Sequence, residues 1–79
     1  MIMEINDFIE KLGDVFEDTD ISSLTPQTKF RDLDEWGSMS VLSLIALADE
    51  EYGAELEPED IRKAQTIQDL FELIRLKKD

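Results

Sequence analysis

Apolar residues recur at helical spacing in three places along the chain, and this pattern constrains the fold more than any other feature. Apolar residues three or four positions apart bury one side of a helix. The spacing predicts helices over residues 4–17, 38–52 and 67–77. The apolar positions are Ile5, Phe8, Ile9, Leu12 and Phe16, then Val41, Leu44, Ile45, Ala48 and Tyr52, then Ile67, Leu70, Phe71 and Ile74.

Local signals mark the helix ends and add a short fourth helix. Gly53 follows the second helix, and glycine commonly ends helices. Thr66 with Asp69 three positions later is close to a capping box, which begins a helix. In the segment EPEDIRKA, Pro58 stands at a plausible first helical position, with room for one or two turns. Since no stretch alternates with period two, we predict an all-α bundle of three main helices and one short helix, a single domain over residues 1–79.

The connection between the first two helices, from Glu17 to Gly37, is long for such a small bundle. Apolar residues are spaced through it, so we expect the loop to be pinned across the helix ends rather than disordered. These residues are Ile21, Leu24, Phe30 and Leu33.

The absence of certain residue types excludes several kinds of chemistry. The 79 residues include no histidine and no cysteine, which excludes Ser–His and Cys–His nucleophiles, the usual zinc sites and disulfides. An EF-hand loop beginning at Asp32 would place Ser43 where calcium needs a bidentate glutamate, so we expect no metal site. A chain of this length is too short to enclose an elaborate active-site cleft, so we predict a protein that is not an enzyme.

The charge of the chain limits the kinds of partner that it can bind. The formal net charge is −12, and residues 32–61 contain ten Asp or Glu residues but no Lys or Arg. Such a surface repels nucleic acid and anionic lipid and attracts basic protein surfaces. No apolar run approaches the roughly 18 residues of a membrane span, and the segment MIMEINDFIE carries acids where a signal peptide would carry bases. We therefore expect a cytoplasmic monomer.

Ser38 stands between acidic residues and the second apolar helix. It could be the N-cap of that helix, or its hydroxyl could be displayed for chemistry. The side of the helix opposite the apolar seam begins beside Ser38 and mixes apolar, small and acidic residues. Its members are Met39, Leu42, Ser43, Ala46 and Glu50. A face that contacts only water would not need Met39 and Leu42, so we predict that this face binds a partner.

Four short segments together give the chain a family resemblance. They are TKFRDL at 28–33, WGSM at 36–39, DEEY at 49–52 and TIQDL at 66–70. In their order and spacing the chain resembles an acyl carrier protein from Ile5 to Ile74. The family's modified serine falls on Ser38, fourteen residues before Tyr52. The chain departs from the family pattern at Gly37, where Asp is usual, and at Met39, where Leu is usual.

The resemblance implies that a phosphopantetheinyl transferase attaches 4′-phosphopantetheine, taken from coenzyme A, to Ser38. The base and Mg²⁺ for that reaction would belong to the transferase, so the serine needs no histidine. The thiol of the arm would carry acyl groups as thioesters for enzymes of fatty-acid, polyketide or related acyl biosynthesis. Aminoacyl or D-alanyl cargo, and an unmodified interaction module with the same fold, remain alternatives.

The same resemblance places partner recognition around Ser38. Acidic residues are expected to steer the basic surfaces of the transferase and of acyl-loading or acyl-processing enzymes, while Met39 and Leu42 supply apolar contact. The acidic residues are Asp34, Glu35, Asp49 and Glu50.

Overall fold

The computed structural model describes residues 4–77, and this part of the chain folds into four helices without a strand. They are α1 (Ile5–Leu12), α2 (Ser38–Tyr52), α3 (Pro58–Lys63) and α4 (Ile67–Lys77). The prediction of an all-α bundle with one short helix is confirmed. The two ends of the predicted domain, residues 1–3 and 78–79, lie outside the described residues. None of the helices within residues 4–77 is both long enough and apolar enough to cross a membrane.

Helix α1 is shorter than predicted, since it ends at Leu12 rather than near residue 17. From Gly13 to Val15 the backbone N–H groups bond to carbonyls three residues earlier, which tightens the chain into turns. One further bond, from the N–H of Phe16 to the carbonyl of Leu12 at 2.8 Å, keeps Phe16 on the buried side. The apolar periodicity therefore continues past the end of the helix.

Helix α2 begins and ends at the predicted residues, but its buried stripe is slightly rotated. Gly53 adopts a left-handed conformation (φ 65°) and ends the helix. Of the predicted seam, Leu44 and Ala48 are fully buried, whereas Val41, Ile45 and Tyr52 are only partly buried against the core. Leu47 and Ser40, which the predicted seam omits, are buried instead. In the observed stripe, Ser40, Leu47 and Ala48 each lie three or four positions from Leu44, which is also a helical spacing.

The loop between α1 and α2 is pinned to the core, as predicted. Leu24 and Phe30 are buried, and Ile21 and Leu33 pack against the core. The loop contains two short 3₁₀ turns, at Ile21–Ser23 and Phe30–Asp32.

Backbone hydrogen bonds also tie this loop to the first turn of α4. The N–H of Ile67 donates to the carbonyl of Thr28 at 3.0 Å, and the N–H of Gln68 donates to that of Pro26 at 2.8 Å. These N–H groups have no partner within their own helix, so the loop satisfies them. The course of the chain towards α2 is fixed as a result.

The predicted starts of α3 and α4 are confirmed. Pro58 is the first residue of α3. At α4, the N–H of Thr66 donates to Oδ2 of Asp69 at 3.1 Å, and the N–H of Asp69 donates to Oγ1 of Thr66 at 3.1 Å. This reciprocal pair is the capping box that the sequence predicts.

Candidate functional site

Ser38 is the first residue of α2, and its side chain is exposed. The N-cap position belongs to Gly37, whose backbone is extended (φ −172°, ψ −170°), so the interpretation of Ser38 as the N-cap is wrong. The chain enters the helix one residue earlier than a capping role for Ser38 would require. Within residues 4–77 the Ser38 hydroxyl forms no hydrogen bond, which leaves its oxygen available to a reaction partner.

The structural role belongs to Ser40, two residues further on. Its side chain is only 6% exposed, and its Oγ donates to the carbonyl oxygen of Glu35 at 2.8 Å. The side chain of Glu35 is bound as well, since its carboxylate oxygen Oε1 accepts a hydrogen bond from Oγ1 of Thr19 at 2.5 Å. These two bonds connect Glu35 to the first turn of α2 on one side and to Thr19, near the beginning of the long loop, on the other. Sequence reasoning missed Ser40, although its position four residues before Leu44 is in line with the buried stripe.

A groove of about 500 Å³ lies beside Ser38, between α2 and α3. Its walls are mostly apolar, with Ser38 and two arginines at the polar positions. The lining residues are Arg31, Trp36, Ser38, Val41, Leu42, Pro58, Ile61 and Arg62. Trp36 is fixed by an edge-to-face contact with Phe30, with ring centroids 4.7 Å apart. The apolar lining of this groove matches an extended, largely uncharged ligand.

Arg31 and Arg62 were not predicted as site residues. A guanidinium nitrogen of Arg31, Nη2, donates to the carbonyl oxygen of Ile61 at 2.9 Å and to that of Arg62, at the end of α3. This pair of bonds connects the long loop to α3 across the groove. One signal in the sequence could have identified both arginines, because they border the stretch that contains no other Lys or Arg.

Most of the predicted recognition residues are exposed, some of them beside Ser38 and others near the far end of α2. Met39 and Leu42 are 74% and 60% exposed, and Leu76 on α4 is 81% exposed. Asp34, Asp49 and Glu50 are exposed as well. Glu35 differs from them, since it is half-buried and one of its oxygens is bound by Thr19. The role of all six residues in partner recognition stays a prediction.

Three carboxylates have pKa values that local hydrogen bonds lower, and none of the three lines the groove. The N–H of Glu57 lowers the pKa of Asp60, and those of Gln65 and Thr66 lower the pKa of Asp69. The hydroxyl and then the N–H of Ser22 lower the pKa of Asp20. These carboxylates stabilise the starts of helices and turns. Within residues 4–77, no cluster of three or more carboxylates is arranged to hold a metal ion.

A comparison with protein families gives a match over most of the chain. A family model described as "Phosphopantetheine attachment site" matches residues 6–74, which include all of α2, α3 and most of α1 and α4. The match contains Ser38, the groove beside it and the exposed face of α2.

Proposed function

The chain belongs to the phosphopantetheine-attachment family, and we propose that it is a carrier that holds acyl intermediates as thioesters on a phosphopantetheine arm attached to Ser38. The observation that carries the proposal is the position of this hydroxyl. It is exposed at the first residue of α2 and free of internal hydrogen bonds within residues 4–77, whereas the nearby Ser40 is buried and bonded. Ser43 is also exposed, but it lies in the middle of the helix.

The residues around Ser38 fit a phosphopantetheine group. In the proposed attachment, Oγ of Ser38 forms a bond to the β-phosphorus of coenzyme A, and the bond from that phosphorus to its bridging oxygen breaks. The nucleotide bisphosphate leaves, and the hydroxyl proton passes to a base of the transferase. When bound, the arm supplies the terminal thiol that forms thioesters, which this cysteine-free chain lacks. The apolar groove beside Ser38 offers the arm a surface.

Intact mass measurement tests the attachment. We expect the wild-type protein to gain one phosphopantetheine when it is incubated with coenzyme A and a broad-specificity phosphopantetheinyl transferase, and the Ser38→Ala variant to gain none. Ser43→Ala is the matched control, because it removes another exposed hydroxyl of α2 and should leave the gain intact. Modification that persisted in Ser38→Ala, or that mapped to Ser40 or Ser43, would contradict the proposal.

The exposed face of α2 is the proposed contact surface for the transferase and the loading enzymes. Met39 and Leu42 are apolar, exposed and close to Ser38 in the chain, so they can supply desolvated contact. Asp34, Asp49 and Glu50 add negative charge that raises the rate of association with a basic surface.

Kinetics of loading test this surface. Leu42→Ala should slow loading by the transferase while the melting temperature stays near that of the wild type, because Leu42 is 60% exposed. Leu44→Ala is the contrast on the inner side, where the residue is 1% exposed and truncation should destabilise the fold by about 2–5 kcal/mol. Glu50→Lys should slow loading mainly at low salt. If Leu42→Ala unfolded the protein and Leu44→Ala left it stable, the assignment of the exposed and buried faces of α2 would be wrong.

An unmodified interaction module is the second candidate function. Gly37 favours it, because this residue supplies no carboxylate beside Ser38 where the family usually has one. Such a module would use the same exposed Met39 and Leu42 to bind another protein. The absence of any mass gain with the transferase, combined with retained binding to a partner through this face, would favour this candidate.

A further inference from the structure

Two arginines line the groove beside Ser38 in a strongly acidic protein. Arg31 and Arg62 are thirty-one positions apart in the chain, yet they line one groove with Ser38. Within residues 4–77 neither of them forms an ion pair with a carboxylate, whereas Lys11, Arg75 and Lys77 do. Their charges are therefore available to an anion in the groove.

The arrangement of Arg31 is fixed rather than incidental. Its Nη2 is held by the carbonyl oxygens of Ile61 and Arg62, and the guanidinium carbon lies 5.8 Å from the centre of the Phe30 ring. These contacts use one nitrogen of the guanidinium group and leave its other donors free. Because the carbonyl of Arg62 is one of the acceptors, Arg31 also determines where the backbone of Arg62 lies.

We propose that Arg31 and Arg62 form a phosphate clamp, which binds the phosphodiester attached to Ser38 and holds the start of the arm against the groove. The inference rests on the proposed attachment at Ser38. A guanidinium group matches the oxygens of a phosphate in both charge and geometry. The phosphodiester is the anion nearest to Ser38, since its phosphorus is bonded to Oγ. Without the clamp, the added negative charge would be favoured only by the start of α2 and opposed by the acidic side chains nearby.

Arg62 is the residue to replace, because Arg31 also holds the end of α3. Lys63 provides the matched control. It is the next residue of α3, it is exposed, it carries the same charge in the same last turn, and it lines a different surface depression. Arg62→Gln and Lys63→Gln therefore change the net charge and the helix-end electrostatics equally. Only Arg62→Gln removes a positive group from the groove.

The experiment measures how phosphopantetheine attachment changes the melting temperature of each protein at low salt. Intact mass first establishes that all three proteins carry the arm. We expect the change in melting temperature on attachment to be about 2–4 °C less favourable in Arg62→Gln than in the wild type. Lys63→Gln should respond as the wild type does, and added salt should reduce the deficit of Arg62→Gln.

A second readout observes the arginines directly. In the wild type, the Nε–Hε nuclear magnetic resonance signals of Arg31 and Arg62 should shift on attachment, while that of Arg75, which is paired with Glu72, should not. Equal responses of Arg62→Gln and Lys63→Gln, with unshifted Arg31 and Arg62 signals, would overturn the clamp and leave the carrier function standing. A wild-type protein that gained no mass would overturn both.

Discussion

Two serines at the start of α2 have opposite structural roles. The Oγ of Ser40 is buried and bonded to the carbonyl of Glu35, while Ser38 has no such bond within residues 4–77. We expect Ser40→Ala to lower the free energy of unfolding by about 1–2 kcal/mol, because it leaves a carbonyl without its donor. Ser38→Ala should change it by less than about 0.5 kcal/mol. Denaturant unfolding of both variants tests this, and a larger loss in Ser38→Ala would contradict it.

Gly37 is the position where the chain departs most from its family, and its geometry accepts a side chain. The backbone is extended, and a Cβ at Gly37 would have no atom within 4 Å. Gly37→Asp should therefore fold normally and stabilise α2 by about 0.5 kcal/mol, since Asp suits an N-cap and negative charge suits a helix start. Gly37→Ala adds the same Cβ without an acceptor, and thermal melting should place it below Gly37→Asp. Equal stability of the two would show that no cap forms.

Among the helices, α4 depends on a charged cap. The lowered pKa of Asp69 means that its carboxylate stabilises the fold fully above the ordinary value of 3.8, and that this contribution is lost as the pH falls from 3.8 through the lowered value. Asp69→Ala should reduce stability by about 1 kcal/mol at pH 7, and the difference from the wild type should shrink in acid.

Melting temperatures recorded from pH 7 down to about pH 2.5 test this contribution of Asp69. The control is Asp69→Asn, which keeps an acceptor oxygen without the charge. It should be intermediate at pH 7 and approach the wild type once Asp69 is protonated. A difference between Asp69→Ala and the wild type that stayed constant down to the lowest pH would contradict the role of the charge.

The sequence predicted the existence and order of the four helices and most of their ends. Caps with a local mechanism, such as Gly53 and the Thr66–Asp69 pair, were predicted correctly because their signals lie within a few residues. The end of α1 was wrong because Phe16 stays buried through a turn, and periodicity alone cannot distinguish a turn from a continued helix. The burial of Ser40 was not predicted, because its hydrogen-bond partner is a backbone carbonyl, which every residue carries and which the sequence therefore does not reveal.

The sequence predicted only those parts of the site whose residues lie close together in the chain. Ser38 and the exposed face of α2 belong to one segment, so helical spacing brings them together. The groove also depends on Arg31 and Arg62, which lie on opposite sides of that segment and meet only through the packing of the long loop on α3. The Thr19–Glu35 hydrogen bond, between residues sixteen positions apart, is likewise a product of tertiary structure.

Across the whole molecule, acidic residues outnumber their possible partners. The chain has 20 Asp and Glu against 8 Lys and Arg. Within residues 4–77 there are three ion pairs, with N–O distances of 3.8, 3.2 and 3.0 Å, all of them at least partly exposed. The Cα atoms span only 31 × 24 × 19 Å. Unpaired acids therefore lie within about one Debye length of one another at low salt, where they repel.

Screening of this repulsion should stabilise the protein. We expect the melting temperature to rise with sodium chloride, and to rise more per unit of ionic strength with magnesium chloride, because a divalent ion neutralises neighbouring carboxylates more effectively. The control is a protein with Glu50→Lys and Glu59→Lys, two exposed positions in the acidic stretch. Each substitution replaces a negative charge with a positive one, so the repulsion weakens and the rise with either salt should be smaller. A melting temperature that responded to neither salt would show that the carboxylates are too well hydrated and too widely spaced for their repulsion to affect the fold.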